Sequence, residues 1–449
     1  MYDVVVIGAG PAGYEVASLL GSAGKSVCII EKEEATVGGT CLNEGCVPAK
    51  NFLETASYAK KAKYFEACGL DISINSFDIQ KLKDNTCRLI CDTKTGIFGK
   101  LKKASVEIKY GTAKLVSKNS IKVNDEVIEA DKFVLASGSS HREHPLLQLS
   151  GDKIISSKEV FTLTEIPKSI LIVGAGAIGC EFATFFNSLG CAVEVAEFTP
   201  KIVPIEDDDV SKALKRELER QGIKIHVKAN VTSCEEVEDG LNVKIDLGKK
   251  ELEKTYEKIL VSIGRVPNTK DLDLETANIE QDRDFIEVDD NYKSSNSNVY
   301  AIGDIIKTPA LAHVAYYEAK RVAQILLNQD VMPQKAIFPS VTFCSPQVAS
   351  IGQSERELKE ARTAYKVKKL FFKTNVKAKI KGDDSGFIKI IHDQDSGLIL
   401  GAAIIGNDAT ELIHQFLIAI NTNMTCEDLS KMIFAHPTLS ESILEAVGH

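Results

Sequence analysis

Cys41 and Cys46 stand in the run Gly38-Gly39-Thr40-Cys41-Leu42-Asn43-Glu44-Gly45-Cys46-Val47-Pro48-Ala49-Lys50. Two thiols at that spacing can carry two electrons as a dithiol/disulfide couple. The small Gly45 and an entering helix let the sulfurs approach disulfide distance without a long loop, and a helix N-terminus favours the thiolate that does the work. The other nine of the 11 cysteines (Cys28, Cys68, Cys87, Cys91, Cys180, Cys191, Cys234, Cys344 and Cys426) read as buried structural thiols. Cys87 and Cys91 are i,i+4 on an expected helix, but no nearby histidine or further cysteine completes a metal site, so no metal is expected. His436, before Pro437, reads by itself as a loop histidine.

The elements that must position this chemistry repeat. An apolar strand (Val4 to Ile7; Ile170 to Val173) runs into a glycine turn, then a helical stretch, then a second apolar strand ending in a glutamate, Glu31 or Glu197. The turns are Gly8-Ala9-Gly10-Pro11-Ala12-Gly13 and Gly174-Ala175-Gly176-Ala177-Ile178-Gly179. Each reads as a βαβ unit for a dinucleotide: the glycines give the tight reversal, the close approach to a pyrophosphate and the helix packing, and the acid meets a ribose hydroxyl. One such turn is weak evidence. Two, each with a correctly spaced acid, are strong. Glu31 and Glu197 would repel a 2′-phosphate, and Phe198, Thr199 and Pro200 supply no arginine to receive one, so NAD is favoured over NADP. Lys201 is left as either a phosphate receptor or a solvated surface residue. A chain with two dinucleotides most simply holds one flavin and one nicotinamide, because hydride passes from one ring to the other.

Between the repeats, residues 52–67 and 78–103 are expected to be helical and 105–135 to form short strands ending at Val134-Leu135-Ala136-Ser137-Gly138. Val299 to Asp304 is a further strand closing on glycine and an acid. From about residue 335 the character is α+β, with strands at 347–351, 386–392 and 398–405 and helices at 408–420 and 439–446. The fold class is therefore α/β: two Rossmann-like dinucleotide-binding domains plus a C-terminal α+β domain. The boundaries are expected at 1–144, 145–265, 266–334 and 335–449, as packed domains.

Composition agrees. The 449 residues are 44% apolar and 26% charged, which excludes disorder, collagen and coiled coil. A net charge of −9 opposes a nucleic-acid partner. No stretch approaches eighteen consecutive apolar residues, and the first strand follows Met1 directly, so a cytoplasmic protein with no membrane partner is expected.

Taken with Ala136-Ser137-Gly138-Ser139, Gly264-Arg265-Val266-Pro267-Asn268, Ala301-Ile302-Gly303-Asp304, Leu311-Ala312-His313 and Ala435-His436-Pro437-Thr438-Leu439-Ser440-Glu441, the chain resembles the flavin-dependent disulfide oxidoreductases, and within them the dihydrolipoyl dehydrogenase branch, over its whole length. The resemblance implies FAD on the first turn (Gly8, Gly10, Gly13, Glu31, with Gly138, Asp304 and Ala312) and NAD on the second (Gly174, Gly176, Gly179, Glu197, with Gly264). It implies Cys41 as interchange thiol, Cys46 as charge-transfer thiol, His436 as base oriented by Glu441, and Lys50 with Glu181 near the reactive end of the isoalloxazine. His313 would be a flavin-pocket residue. A homodimer that takes electrons from the lipoyl domains of a 2-oxo acid dehydrogenase or glycine cleavage complex is implied as well. The family's usual serine and threonine are Ala49 and Ser137 here, and neither replaces a reacting group. Two rivals remain: a reductase of another low-molecular-weight disulfide, which Glu197 and Leu439 oppose, and a non-catalytic docking subunit, which the intact Cys41, Cys46, His436 and Glu441 oppose.

Overall fold

The computed structural model describes residues 1–449 except 73, 75, 334, 335 and 449, and residue 63 by its backbone alone. The expected boundary at 334/335 falls outside the described residues. The chain forms two compact units: residues 1–49, 81–142 and 265–336 make the first, and 50–80, 143–264 and 337–449 the second.

In the first unit, Tyr2–Ile7 (β1), Pro11–Ser22 (α1) and Val27–Glu31 (β2) form the expected βαβ unit, with Val4↔Val27 to Ile7↔Ile30 in parallel register. The run Val4-Val5-Val6 is at most 2% exposed because the sheet is covered on both faces. Its period of two splits it: Val4 and Val6 join the core under α1, whereas Val5 and Ile7 join the core on the other face with Leu115, Phe133 and Ile305. Then come Gly39–Asn43 (α2), which carries Cys41, and Cys46–Ala67 (α3), which opens on Cys46 and passes into the second unit after Ala49. Glu107–Tyr110 extends the sheet beyond β2, and Glu126–Leu135 and Val299–Ala301 extend it beyond β1, all parallel.

The second unit repeats the design: Ser169–Val173 (β3), Ala177–Ser188 (α4) and Ala192–Glu197 (β4) lie in a parallel sheet of order Lys224–Val227, β4, β3, Lys258–Val261, Ile154–Ile155. The chain returns to the first unit for Ala312–Leu326 (α5), whose Ala315, Ala319 and Ala323 let it approach α1 closely. In the second unit, residues 337–449 build an antiparallel five-stranded sheet of order 340–342, 347–352, 399–406, 387–393, 365–371, and Glu441–Gly448 (α6) packs on its core. The strand Tyr365–Phe371 is not expected from the sequence, because four of its seven side chains face solvent and three of the seven are lysines, which dilute the apolar signal.

Corrections concern the cysteines. Cys28, Cys180, Cys191, Cys344 and Cys426 are buried as expected, but Cys68, Cys87 and Cys91 are exposed and Cys234 is half-buried. Cys87 and Cys91 share the solvent face of the helix Ile79–Lys103, where i,i+4 spacing puts both on one side. Among the described residues, no helix is long and apolar enough to cross a membrane.

Candidate active site

The two glycine turns are built alike. In each, the third glycine is forced by packing: a Cβ on Gly13 would lie 1.8 Å from the Gly8 carbonyl oxygen, and one on Gly179 would lie 2.0 Å from that of Gly174. The first glycines, Gly8 and Gly174, have φ of +102° and +101°, which favours glycine. The middle glycines differ from both. A Cβ on Gly10 would meet only the Gly39 Cα at 3.7 Å, and one on Gly176 would meet nothing within 4 Å. The protein's own packing does not demand glycine there, whereas close approach of a pyrophosphate would. No side chain caps either helix at Gly10 or Gly176, so the first N–H groups of α1 and α4 are left for an anion.

Both acids close their turns. Glu31 Oε2 accepts the Ala9 N–H at 2.6 Å, and Glu197 Oε2 accepts the Ala175 N–H at 2.6 Å. The second oxygen of Glu31 accepts from the Thr36 hydroxyl and the Lys32 N–H, and that of Glu197 from the Thr199 N–H, so each carboxylate as a whole still keeps a lone pair for a ribose hydroxyl. Lys201 does not serve a 2′-phosphate: its ammonium donates to the Glu206 carbonyl at 2.6 Å and to Asp208 at 2.9 Å. These features fit FAD and NAD.

The redox segment of the first unit depends on Gly45. A Cβ there would lie 2.9 Å from the Thr40 carbonyl oxygen and 3.4 Å from the Cys41 Cα, so only glycine lets the turn carrying Cys46 close on the turn carrying Cys41. Cys41 is half-buried on α2, and Cys46 is exposed as the first residue of α3. Asn43, which sequence reasoning passed over, ties the segment down by donating to the carbonyls of Thr36, Val37 and Gly39.

Gly138 follows the strand Glu126–Leu135 at φ +70° with open space about it, and Gly303 turns the chain at φ +76° ahead of Asp304. The Asp304 carboxylate accepts the Ser139 hydroxyl, and Arg265 Nε donates to the same Ser139 oxygen at 2.7 Å. Burial pulls the Arg265 guanidinium below its ordinary pKa, against the pull of Asp304, Cys46 and Glu44. Ala312 opens α5, with His313 next to it. Arg265 and Ser139 were thus missed as the supports of Asp304, although both lie inside segments the sequence singles out.

In the second unit, the Lys50 ammonium binds both Glu181 oxygens at 3.0 and 2.9 Å. Glu181 is 4% exposed, and it also accepts the Phe343 N–H at 2.9 Å, while the Phe343 ring lies 4.6 Å from Lys50 Nζ. Phe343 carries no sequence signal for this role. Gly264, at φ +109°, follows the strand Lys258–Val261.

Also in the second unit, His436 Nδ1 lies 2.8 Å from Glu441 Oε1, and the other oxygen, Oε2, accepts the Thr438 N–H at 2.7 Å. That backbone bond and His436 hold the Glu441 carboxyl below its ordinary pKa. A carboxylate on Nδ1 fixes the ring so that Nε2 is the atom offered to a substrate. The His436 side chain is 71% exposed. The loop bearing it is held by Asn375 Nδ2 donating to the Thr438 carbonyl at 3.0 Å and by Gln415 Nε2 donating to Ser440 at 2.9 Å. A second acidic cluster, Asp207, Asp209 and Glu355, surrounds the fully buried Lys389 ammonium at 2.9, 2.9 and 2.5 Å; the position a cation would take is filled by the protein's own.

A duplicated dinucleotide fold, two cysteines on adjoining helix turns and a carboxylate-held histidine are the features of a flavin-linked disulfide oxidoreductase. Residues 2–319 match the family model described as pyridine nucleotide-disulphide oxidoreductase, and residues 338–447 match that family's dimerisation domain. The chain belongs to the pyridine nucleotide-disulphide oxidoreductase family, whose cofactors are FAD and NAD. It is 33% identical over 450 residues to a dihydrolipoyl dehydrogenase of Bacillus subtilis, covering 99% of this chain and 97% of the relative. It is 35% identical over 452 residues to one of Chlorobaculum parvum, covering 99% and 96%. Among solved structures, the HOCl-induced flavoprotein disulfide reductase RclA of Escherichia coli superposes with a TM-score of 0.89 at 25% identity, covering 100% of this chain and 99% of that one.

Proposed function

We propose that this enzyme oxidises protein-bound dihydrolipoamide to lipoamide and reduces NAD to NADH. The observation that carries the reading is the His436–Glu441 pair: a base locked at Nδ1 and open at Nε2 suits a thiol that must lose a proton before it attacks a disulfide. Full-length likeness to dihydrolipoyl dehydrogenases supports it. In the oxidised enzyme Cys41 and Cys46 form a disulfide. His436 takes the proton of one substrate thiol; the thiolate attacks Cys41 Sγ, breaks the Cys41–Cys46 bond and releases Cys46 as thiolate. The second substrate thiol attacks its neighbour sulfur in the mixed disulfide and closes the lipoamide ring; its proton passes to the departing Cys41 sulfur, which leaves Cys41 as a thiol, Cys46 as a thiolate and His436 protonated. Bound FAD supplies the two-electron path from Cys46 to NAD. Glu31 and Glu197 hold the riboses, Asp304 the ribityl or phosphate end of FAD, and Lys50 with Glu181 orders the reactive end of the flavin. The base comes from the partner of a homodimer, the lipoyl domain belongs to a 2-oxo acid dehydrogenase or glycine cleavage complex, and the reaction runs in the cytoplasm.

A second reading, reduction of another disulfide, is favoured by the likeness to RclA. Steady-state comparison of dihydrolipoamide/NAD with glutathione disulfide/NADPH separates the two: the first pair is expected to turn over far faster, and the reverse result overturns the lipoamide assignment. The shared base is tested by reassociating unfolded Cys41→Ser chains with His436→Ala chains. Random pairing is expected to restore about a quarter of wild-type sites, because half of the dimers are mixed and each has one intact site of two. A mixture as inactive as its parents would show that His436 serves its own chain.

A further inference from the structure

Within the first unit, α5 buries a carboxyl with almost nothing to neutralise it. Glu318 is 1% exposed, and its Oε2 accepts the Gly303 N–H at 2.6 Å, the N–H immediately before Asp304. Among the described residues its other oxygen, Oε1, is buried with no partner in good hydrogen-bond geometry; the Thr308 hydroxyl beside it is the one further group that can bond the carboxyl, and it opposes the rise in pKa that burial causes. Asp304 adds a like charge. Arg321, one turn along the same helix, turns elsewhere: its Nη2 donates to the Asp290 carbonyl at 3.4 Å, its guanidinium lies 5.3 Å from the Tyr292 ring, and among the described residues its Nε and Nη1 have no hydrogen-bond partner. The Tyr292 phenol, raised chiefly by burial, faces both Glu318 and Arg321. On the neighbouring α1, Glu15 is engaged by Lys100.

An ionised Glu318 would hold a charge out of water with only the Gly303 N–H and the Thr308 hydroxyl to offset the burial. The neutral acid keeps the Gly303 bond through Oε2 and gives its proton, on Oε1, to the Thr308 oxygen. We propose that Glu318 is a positioning residue that sets the Gly303–Asp304 turn for FAD as a neutral acid, so that FAD binding takes up a proton at this side chain. This rests on the reading that Asp304 faces FAD. Burial raises the Glu318 pKa to about 7. A pyrophosphate nearby adds negative charge and raises it further. The sign follows: below pH 7 free and FAD-bound protein are both protonated and affinity is flat. As pH rises through 7 the FAD-free protein loses its proton first, and affinity falls, by tenfold for each pKa unit that FAD adds.

The test dilutes the FAD-bound protein, with Cys41 and Cys46 kept oxidised, and reads free-FAD fluorescence between pH 6 and 9. Wild type is expected to lose about tenfold in affinity across that range, and Glu318→Gln, which keeps both hydrogen bonds without a charge, is expected to stay near the wild-type pH 6 value throughout. Glu318→Ala is expected to bind weakly at every pH. A flat wild-type profile, or a Glu318→Gln profile that falls as wild type does, overturns the proposal. Wild type alone offers a further check, because FAD release in weakly buffered solution at pH 8 should liberate protons, and none would overturn it. Asp304→Asn separates the underlying reading: if FAD affinity is unchanged in that variant, Asp304 does not face FAD, whatever Glu318 does.

Discussion

The two glycine turns are the same device used for different ends. Offset by 166 positions, Glu31 and Glu197 pin equivalent N–H groups at the same 2.6 Å, and the middle glycine of each turn is open while the third is occluded. The copies correspond one turn further on as well: Glu15 on α1 and Glu181 on α4 are both buried and both paired with a lysine, Lys100 and Lys50. They diverge in what surrounds that pair. Lys100 and Lys50 each lie near an aromatic ring, Tyr14 at 5.9 Å and Phe343 at 4.6 Å, but Glu181 also accepts the Phe343 N–H, whereas among the described residues Glu15 has only a lysine partner, 44% exposed on a surface helix. Nucleotide handling is thus duplicated, and the chemistry comes from what each copy is joined to. After Glu31 the chain enters the helices that carry Cys41 and Cys46; after Glu197 it enters the Asp207–Asp209 turn that closes on Lys389.

The largest test of this division is at the thiols. Cys41→Ser and Cys46→Ser are each expected to lower dihydrolipoamide turnover by about a thousandfold or more, since a covalent step is removed outright. A long-wavelength absorption band from the Cys46 thiolate beside oxidised FAD should persist in Cys41→Ser and vanish in Cys46→Ser. The opposite pattern would exchange the two roles.

Next in size is cofactor choice in the second copy. A ribose-binding Glu197 that repels a 2′-phosphate by ~3 kcal/mol favours NADH over NADPH by about a hundredfold in kcat/KM. Glu197→Ala should shrink that ratio, and equal efficiencies in wild type would remove Glu197 from the ribose.

The glycines then sharpen the likeness. Gly13→Ala and Gly179→Ala force a methyl into a carbonyl oxygen and should destabilise the protein by about 1–3 kcal/mol or more, seen in thermal unfolding. Gly10→Ala and Gly176→Ala should unfold at wild-type temperature yet bind FAD or NAD more weakly, respectively. Wild-type affinity in both would mean that the middle glycines face no pyrophosphate.

The smallest effect separates the two ion pairs. Glu15→Gln removes a pair with an exposed lysine and should cost at most about 1 kcal/mol of stability with turnover unchanged. Glu181→Gln should instead slow flavin reduction in single-turnover absorbance measurements. Equal, purely structural effects would erase the functional contrast.

Features legible in the sequence share one property: they are local. A glycine turn, the acid at the end of the next strand and a cysteine pair on consecutive turns are set by backbone geometry within a few dozen residues, so residue type and spacing determined both βαβ turns with their acids, the cysteine segment and the α/β class. His436 was legible only through the motif that surrounds it, because a histidine before a proline is unremarkable until its Nδ1 meets Glu441. What only tertiary structure decided lies far apart in the chain and uses ordinary residue types: Phe343 on Glu181 across 162 positions, Asn375 on the Thr438 carbonyl across 63, and Lys100 on Glu15 across 85. Burial belongs with these. The sequence alone could not say that Cys87 and Cys91 face water, that Lys389 is wholly enclosed by three carboxylates, or that Glu318 is buried one N–H away from Asp304, since the cost of a charge depends on which surfaces the fold removes from water.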